Sequence, residues 1–298
     1  MTDRLSHTLC WGDRRLELGR RTCVMGILNT TPDSFSDGGR FVSIDAALAQ
    51  AEAMVAAGAD ILDIGGESTR PFSDPVSEEE ETRRVLPVIE RLADHIPIPI
   101  SIDTMKAAVA RRALDAGAAM INDVSALRMD ADMASVAARY KVPIIVMHML
   151  GTPKTMQKRP VYQDLLGEIG RFLEAAAGRA EAAGVDRSLI IADPGIGFGK
   201  TADHNLALIQ HLASLKPLGL PLLIGPSRKA FIRSLLSQGT EDEPSPDSPQ
   251  VETGTQAAIT AAILNGAHVI RVHNVADTRA TARIADALLA AGNPALKE

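Results

Sequence analysis

Aromatic residues are scarce in this 298-residue chain: six Phe, two Tyr and one Trp make up 3% of it. Its core must therefore be built from Ala, Leu, Ile, Val and Met. Cysteine is scarcer still. Cys10 and Cys23 cannot form a disulfide framework, and neither stands at a metal-binding spacing. Basic charge is not in excess either: 31 Lys and Arg against 37 Asp and Glu leave a net charge of −6. Duplex binding calls for a basic footprint, so no nucleic-acid partner is expected. No apolar run is long enough to span a bilayer. Residues 1–21 alternate charged and apolar side chains and lack the apolar core of a signal peptide. No membrane partner is expected, and a reducing cytoplasm is the expected location.

What the chain has is alternation. Short β-rich apolar runs recur at Thr22–Leu28, Asp60–Ile64, Ile98–Asp103, Ala119–Val124, Pro143–Met147, Leu189–Ala192, Pro221–Ile224 and Val269–Val272. Between them lie Ala-rich stretches of helical period, such as Glu78–Ala93 and Leu165–Ala183. Ser77 followed by four glutamates marks a helix start, because its side-chain oxygen caps free N–H groups and acid suits the positive dipole end. Gly58, Gly117 and Gly266 each stand at a helix-to-strand joint, where glycine permits a left-handed backbone. About eight such units in roughly 270 residues predict a (β/α)8 barrel. A doubly wound open sheet would need fewer strands and a switch point. The expected organisation is an α/β single-domain barrel over 22–298, capped by an N-terminal extension, 1–21, that is hairpin-like. Residues 238–252, acidic and carrying three prolines, read as an exposed loop.

Chemistry follows the strands. At their ends or just beyond them come Asn29, Gly65 to Arg70, Asp103, Asn122, His148, Asp193, Ser227 to Lys229, and Arg271 with His273. In a parallel barrel these ends meet at one mouth. Singly, Asp and Asn are common turn residues; together they are hard to obtain from turn preference. Asp103, Asn122 and Asp193 could read the donor face of a flat nitrogen heterocycle. Arg70, Lys229, Arg271 and His273 could bind anions. Asn29 offers a neutral oxygen suited to Mg2+. Lys229 could also serve as a Schiff-base lysine, although its neighbouring cation favours anion binding. Met147 belongs to a Met-His-Met cluster read as pocket wall. Gly195 to Thr201, which includes Phe198, fails the P-loop pattern because Pro194 stands where its first glycine should be. It reads as a flexible turn bringing backbone close to a bound ring.

Several long motifs resemble those of the dihydropteroate synthase family. They are Val24 to Gly39, Asp63 to Pro71, Ser101-Ile102-Asp103-Thr104, Ile121 to Ser125, Asp193 to Lys200, Ser227-Arg228-Lys229 and Arg271-Val272-His273. The resemblance implies a pterin-binding barrel and a homodimer. It also implies a transferase joining 4-aminobenzoate to 6-hydroxymethyl-7,8-dihydropterin diphosphate. By motif position, Asn29 is implied as the Mg2+ ligand, and Asp103, Asn122, Asp193 and Lys229 as holding the pterin beside Met147 and Phe198. Arg271 and His273 are implied to hold the diphosphate, with Thr69 near it. Thr31, Pro32, Asp33, Ser34, Phe35, Arg70 and Pro71 lie in two loops that would complete the aminobenzoate site with Ser227. Asn29, Asp33, Lys229, Arg271 and His273 are the implied catalytic set. Phe72 departs from the family's usual glycine after that proline.

Overall fold

The computed structural model describes residues 4–30, 40–69, 73–237 and 242–291. A hairpin comes first, with β1 (His7–Trp11) and β2 (Arg14–Leu18) paired antiparallel. The strands that follow are β3 (Cys23–Asn29), β4 (Ile61–Gly65), β5 (Ile100–Asp103), β6 (Met120–Asp123), β7 (Ile144–Met147), β8 (Ile190–Asp193), β9 (Leu223–Ile224) and β10 (Val269–Val272). Around them lie α1 (Arg40–Ala56), α2 (Glu78–Ala93), α3 (Ala107–Asp115), α4 (Met133–Tyr140), α5 (Leu165–Ala182), α6 (Ala202–Gln210), α7 (Ala230–Leu236), α8 (Pro249–Leu264) and α9 (Val275–Ala291). All eight later strands are parallel, in the order β8-β7-β6-β5-β4-β3-β10-β9. The ring is completed by a single parallel bridge, Ala192 to Leu222, where the Ala192 N–H donates to the Pro221 carbonyl at 2.9 Å. The fold is the expected (β/α)8 barrel.

The strands are short and almost wholly buried because helices cover one face and packed side chains fill the other, which favours continuous apolar runs such as Ile144-Ile145-Val146-Met147. Helix α2 shows the complementary pattern. The Ser77 Oγ accepts from the Glu80 N–H at 3.2 Å, and the buried Val85, Val88, Ile89 and Leu92 fall on one stripe facing the barrel. Burying each such side chain stabilises the fold by roughly 1.5–3 kcal/mol relative to exposure. At the joint that follows α3, Gly117 has φ +108°, and a Cβ there would stand 2.4 Å from the Ala93 Cβ. Any larger residue would have to move α2.

The hairpin seals the end of the barrel where the strands begin. Its Leu9, Trp11 and Leu18 join the main core. Arg4 donates to the carbonyls of Gly19 (3.0 Å) and Ala267 (2.8 Å), to Thr22 Oγ1 (2.9 Å) and to Asp286 Oδ1 (2.8 Å). His268 accepts from the Leu222 N–H at Nδ1 (3.0 Å) and meets the Leu5 carbonyl with Nε2 (2.9 Å). No helix among the described residues is long and apolar enough to cross a membrane.

One expectation needs correction. The loop predicted over 238–252 ends sooner, because α8 begins at Pro249 with Ser248 as its N-cap. Proline is well suited to the first helical turn, where its missing N–H has no intrahelical partner to lose. Three prolines among acids therefore concealed a helix start.

Candidate active site

The strand ends converge at the opposite mouth, and the ladder itself sets the rows. Asn29 pairs with Gly65, Gly65 with Asp103, Asp103 with Asn122, and Met147 with Asp193. Beneath this row Arg271 forks across two carboxylates. Its Nε donates to Asp63 Oδ2 at 2.6 Å and its terminal nitrogen to Asp103 Oδ2 at 2.7 Å. The Asn122 amide donates to the same Asp63 oxygen at 3.0 Å. The remaining oxygens, Asp63 Oδ1 and Asp103 Oδ1, are buried without a hydrogen-bond partner among the described residues. A buried acceptor left so is disfavoured by about 1–3 kcal/mol, and a donor-rich ligand relieves that.

Electrostatics agree with this geometry. Burial pushes the Asp103 carboxyl up to about 7; Arg271 opposes the rise, and Asp63, Glu81 and Asp123 add to it. Burial likewise raises Asp193 to about 6 against the Gly195 N–H, Lys229, Lys200 and Arg271. Burial works against the charge on Arg271, but Asp63 and Asp103 outweigh it and its pKa rises. The floor thus holds acceptors whose ionised state depends on their cations.

Above it stands an apolar wall. Met147 and Phe198 are buried with Val124, Met149 and Met156 in a cluster separate from the main core. The Lys229 Nζ lies 4.1 Å from the Phe198 ring centroid, a cation–π contact. Two residues before Lys229, the Ser227 Oγ is 3.0 Å from His273 Nδ1 and accepts from the His273 backbone N–H at 3.3 Å. Sequence reasoning had Ser227 and His273 on different ligands; here they touch. Arg228, between them in sequence, adopts φ +58° and pairs instead with Asp247 of the acidic segment.

Asn29 is half-buried at the end of β3, and Thr69 is half-buried where the described chain breaks off. Thr31, Pro32, Asp33, Ser34, Phe35, Arg70, Pro71 and Phe72 lie outside the described residues. The base of the second loop is anchored: the Lys106 ammonium joins Glu67 and, at 2.6 Å, the fully buried Glu81, while Arg84 donates to the Gly66 carbonyl at 2.9 Å.

Two features escaped the sequence reading. Asp63 sat inside a quoted motif, but only its inward position in an otherwise apolar strand signals that it carries Arg271. Lys200 and His148 were assigned no contact with each other, yet both are buried and lie 2.9 Å apart, nitrogen to nitrogen. The turn between Asp193 and Lys200, expected to be flexible, is held by side chains from three directions. Gln157 donates to the Gly197 carbonyl (2.7 Å), Tyr162 to that of Gly199 (2.8 Å), and Asn205 Oδ1 accepts from the Gly197 N–H (2.8 Å).

Comparison with known proteins gives a consistent result. The sequence model of the pterin binding enzyme family matches residues 25–273. A dihydropteroate synthase of Synechocystis sp. is 50% identical over 277 residues, which cover 93% of each chain. The structure of the Xanthomonas albilineans dihydropteroate synthase with 4-aminobenzoic acid superposes with a TM-score of 0.86 at 43% identity, covering 96% of this chain and 99% of that one. The same enzyme in complex with 7,8-dihydropteroate gives a TM-score of 0.82 at 41% identity, with 95% and 98% covered.

Proposed function

The chain belongs to the pterin-binding enzyme family and is a transferase of the dihydropteroate synthase type, and we propose that it condenses 6-hydroxymethyl-7,8-dihydropterin diphosphate with 4-aminobenzoate, giving 7,8-dihydropteroate and diphosphate. The observation that carries this reading is the carboxylate pair bridged by Arg271, in which Asp63 Oδ1 and Asp103 Oδ1 are buried without a hydrogen-bond partner among the described residues. A pterin edge presents such donors. The relatives bound to 4-aminobenzoic acid and to 7,8-dihydropteroate support the same pair of substrates.

In this reading Asp103, Asn122 and Asp193 hold the ring, with Phe198, Met147 and Lys229 closing over it. Arg271, His273 and Thr69 face the diphosphate, whose charge grows as the carbon–oxygen bond breaks. The carbon left behind is cationic and conjugated with the ring, and the nearby carboxylates favour it. Substitution is therefore dissociative in character. The aromatic amine is neutral and attacks without a strong general base. Its site is assigned to Ser227 and to Thr31, Pro32, Asp33, Ser34, Phe35, Arg70 and Pro71. Asn29 would hold Mg2+: its amide oxygen suits a hard ion that draws its other oxygens from water and diphosphate, and among the described residues no group of three His, Cys, Asp or Glu offers a fuller cage. When bound, the ion offsets charge on the departing diphosphate.

A homodimer in the cytoplasm is part of the same reading; Ile284 and Leu288 leave apolar surface exposed on α9, and sedimentation tests the assembly. The reading also treats residues 22–298 as one domain with 1–21 as its cap. The decisive assay is diphosphate release by the purified protein with each substrate alone and with both. Release should require both. Release independent of 4-aminobenzoate would remove the proposed acceptor.

A further inference from the structure

Lys200 closes the turn after β8 and has no part in the reaction just described. It is 3% exposed, and burial, helped by Lys229 and opposed by Asp193, brings its pKa down to about 7, so its charge is fully present only in mild acid; among the described residues its nitrogen hydrogen-bonds to no carboxylate. Its Nζ lies 2.9 Å from His148 Nδ1, 3.0 Å from the Phe198 carbonyl and 3.5 Å from the His148 carbonyl. An ammonium has three donors, and each has an acceptor here. His148 must then offer its Nδ1 lone pair and remain neutral, with its proton on Nε2. Burial, helped by Lys200 and Arg128, brings the pKa of that ring down to about 3.

The contacts tie the end of β7 to the turn after β8. Gly195, φ +72°, permits this approach, since a Cβ there would stand 1.9 Å from the His148 carbonyl oxygen. Phe198 is the residue held between the two, and its ring is the one beneath the Lys229 ammonium. The charged groups gathered around Lys200 and Asp193 are Lys229 from the start of α7, Arg271 from β10 and, across His148, Arg128 from the segment after β6.

We propose that Lys200 is a positioning residue for the pterin ring, pinning Phe198 against the end of β7 while placing a buried positive charge behind Asp193. This rests on the function proposed above. Removing the charge lets Asp193 take up a proton at higher pH, because one of the three cations opposing its burial is gone. Removing the donors as well frees the Phe198 carbonyl and loosens the wall.

Two variants separate these effects. Lys200→Gln keeps donors and loses charge; Lys200→Met loses both. The probe is 6-hydroxymethyl-7,8-dihydropterin without diphosphate, so that phosphate ionisation does not enter, titrated by calorimetry across neutral pH. Lys200→Met should bind the ring about tenfold more weakly, while the KM for 4-aminobenzoate at saturating pterin diphosphate moves less than about twofold. Lys200→Gln should match the unmodified protein near about pH 8, where Lys200 has largely given up its proton, and on acidification should lose affinity at a higher pH than the unmodified protein does. Unchanged ring affinity in folded Lys200→Met, or a Lys200→Gln pH profile that superposes on the original, overturns the proposal. Should Lys200→Met fail to fold, the Lys200→Gln profile decides alone. If the unmodified protein does not bind the ring, the function reading falls and this inference falls with it; no variant is needed to see that result.

Discussion

Asp193 Oδ1 accepts from the Gly195 N–H at 2.6 Å, so this carboxylate fixes the turn, and in the proposed function it also holds the ring. Asp193→Asn brings an NH2 group toward donors on one side or the other. Leaving one donor unpaired costs about 1–3 kcal/mol, so pterin affinity should fall roughly 5- to 150-fold; calorimetry measures it, and unchanged affinity would take Asp193 out of the site. Acidity acts at the same place. Asp103 and Asp193 stand at about 7 and about 6, above their ordinary value. Between that value and these, the folded protein holds protons that the unfolded chain lacks, so both groups lower stability at neutral pH and cease to do so as the solution is acidified. Ligand binding runs the other way, since the ionised form is the acceptor. Affinity for the ring should rise as pH passes from 6 to 7, and a flat profile across that window would show that these carboxylates do not bind it. At this scale the strand pattern pointed to Asp103 and Asp193, which end their strands, and to Asn122, one residue before the end of its own. It concealed Asp63, whose partner Arg271 is 208 residues away.

Among the elements, α2, α3 and the end of β4 meet at Lys106. Its ammonium is the cation shared by Glu67 and Glu81, and burial pushes the Glu81 carboxyl up while Lys106 and Thr104 hold it down. Lys106→Met strands a carboxylate in the interior and should lower the unfolding free energy by about 3 kcal/mol near neutral pH, as read by urea titration. The loss should shrink in mild acid, because Glu81 then takes up a proton. An equal loss at both pH values would mean that packing rather than charge is responsible. Elements whose local signals agree were legible: Val269–Val272 and Glu78–Ala93 are the spans expected, one a β-branched run after a glycine joint, the other capped by Ser77. β9 is shorter than expected, with Pro221 and Leu222 left outside it, because the register to β8 allows only the single bridge at Leu222. The Lys200–His148 clasp was illegible for a different reason: nothing local in either segment signals a partner 52 residues distant.

Across the whole molecule, the sealed end of the barrel depends on a neutral imidazole. Burial brings His268 down to about 3, while an unfolded histidine titrates near 6.5. The unfolded chain therefore binds a proton first, and the stability His268 secures above pH 6.5 or so is lost as pH falls toward 3. Asp103 and Asp193 pull in the opposite sense over part of that range, so His268→Gln isolates the effect. The stability gap between the original and the variant should narrow between about pH 7.5 and about pH 5 in urea titrations; a gap independent of pH would refute it. The same end carries the Arg4–Asp286 contact at 2.8 Å, which joins the first described segment to the last helix. Asp286 is within about two turns of the end of α9, a rise of roughly 8 Å. Residue 4 and residue 291 are thus near neighbours, and the order in which the barrel is threaded is not dictated by its architecture. A circular permutant, linking these two ends through about ten flexible residues and opened within the exposed stretch 242–247, should fold to the same barrel. Its circular dichroism and diphosphate release should match those of the original chain, and an unfolded product would show that chain order is itself required.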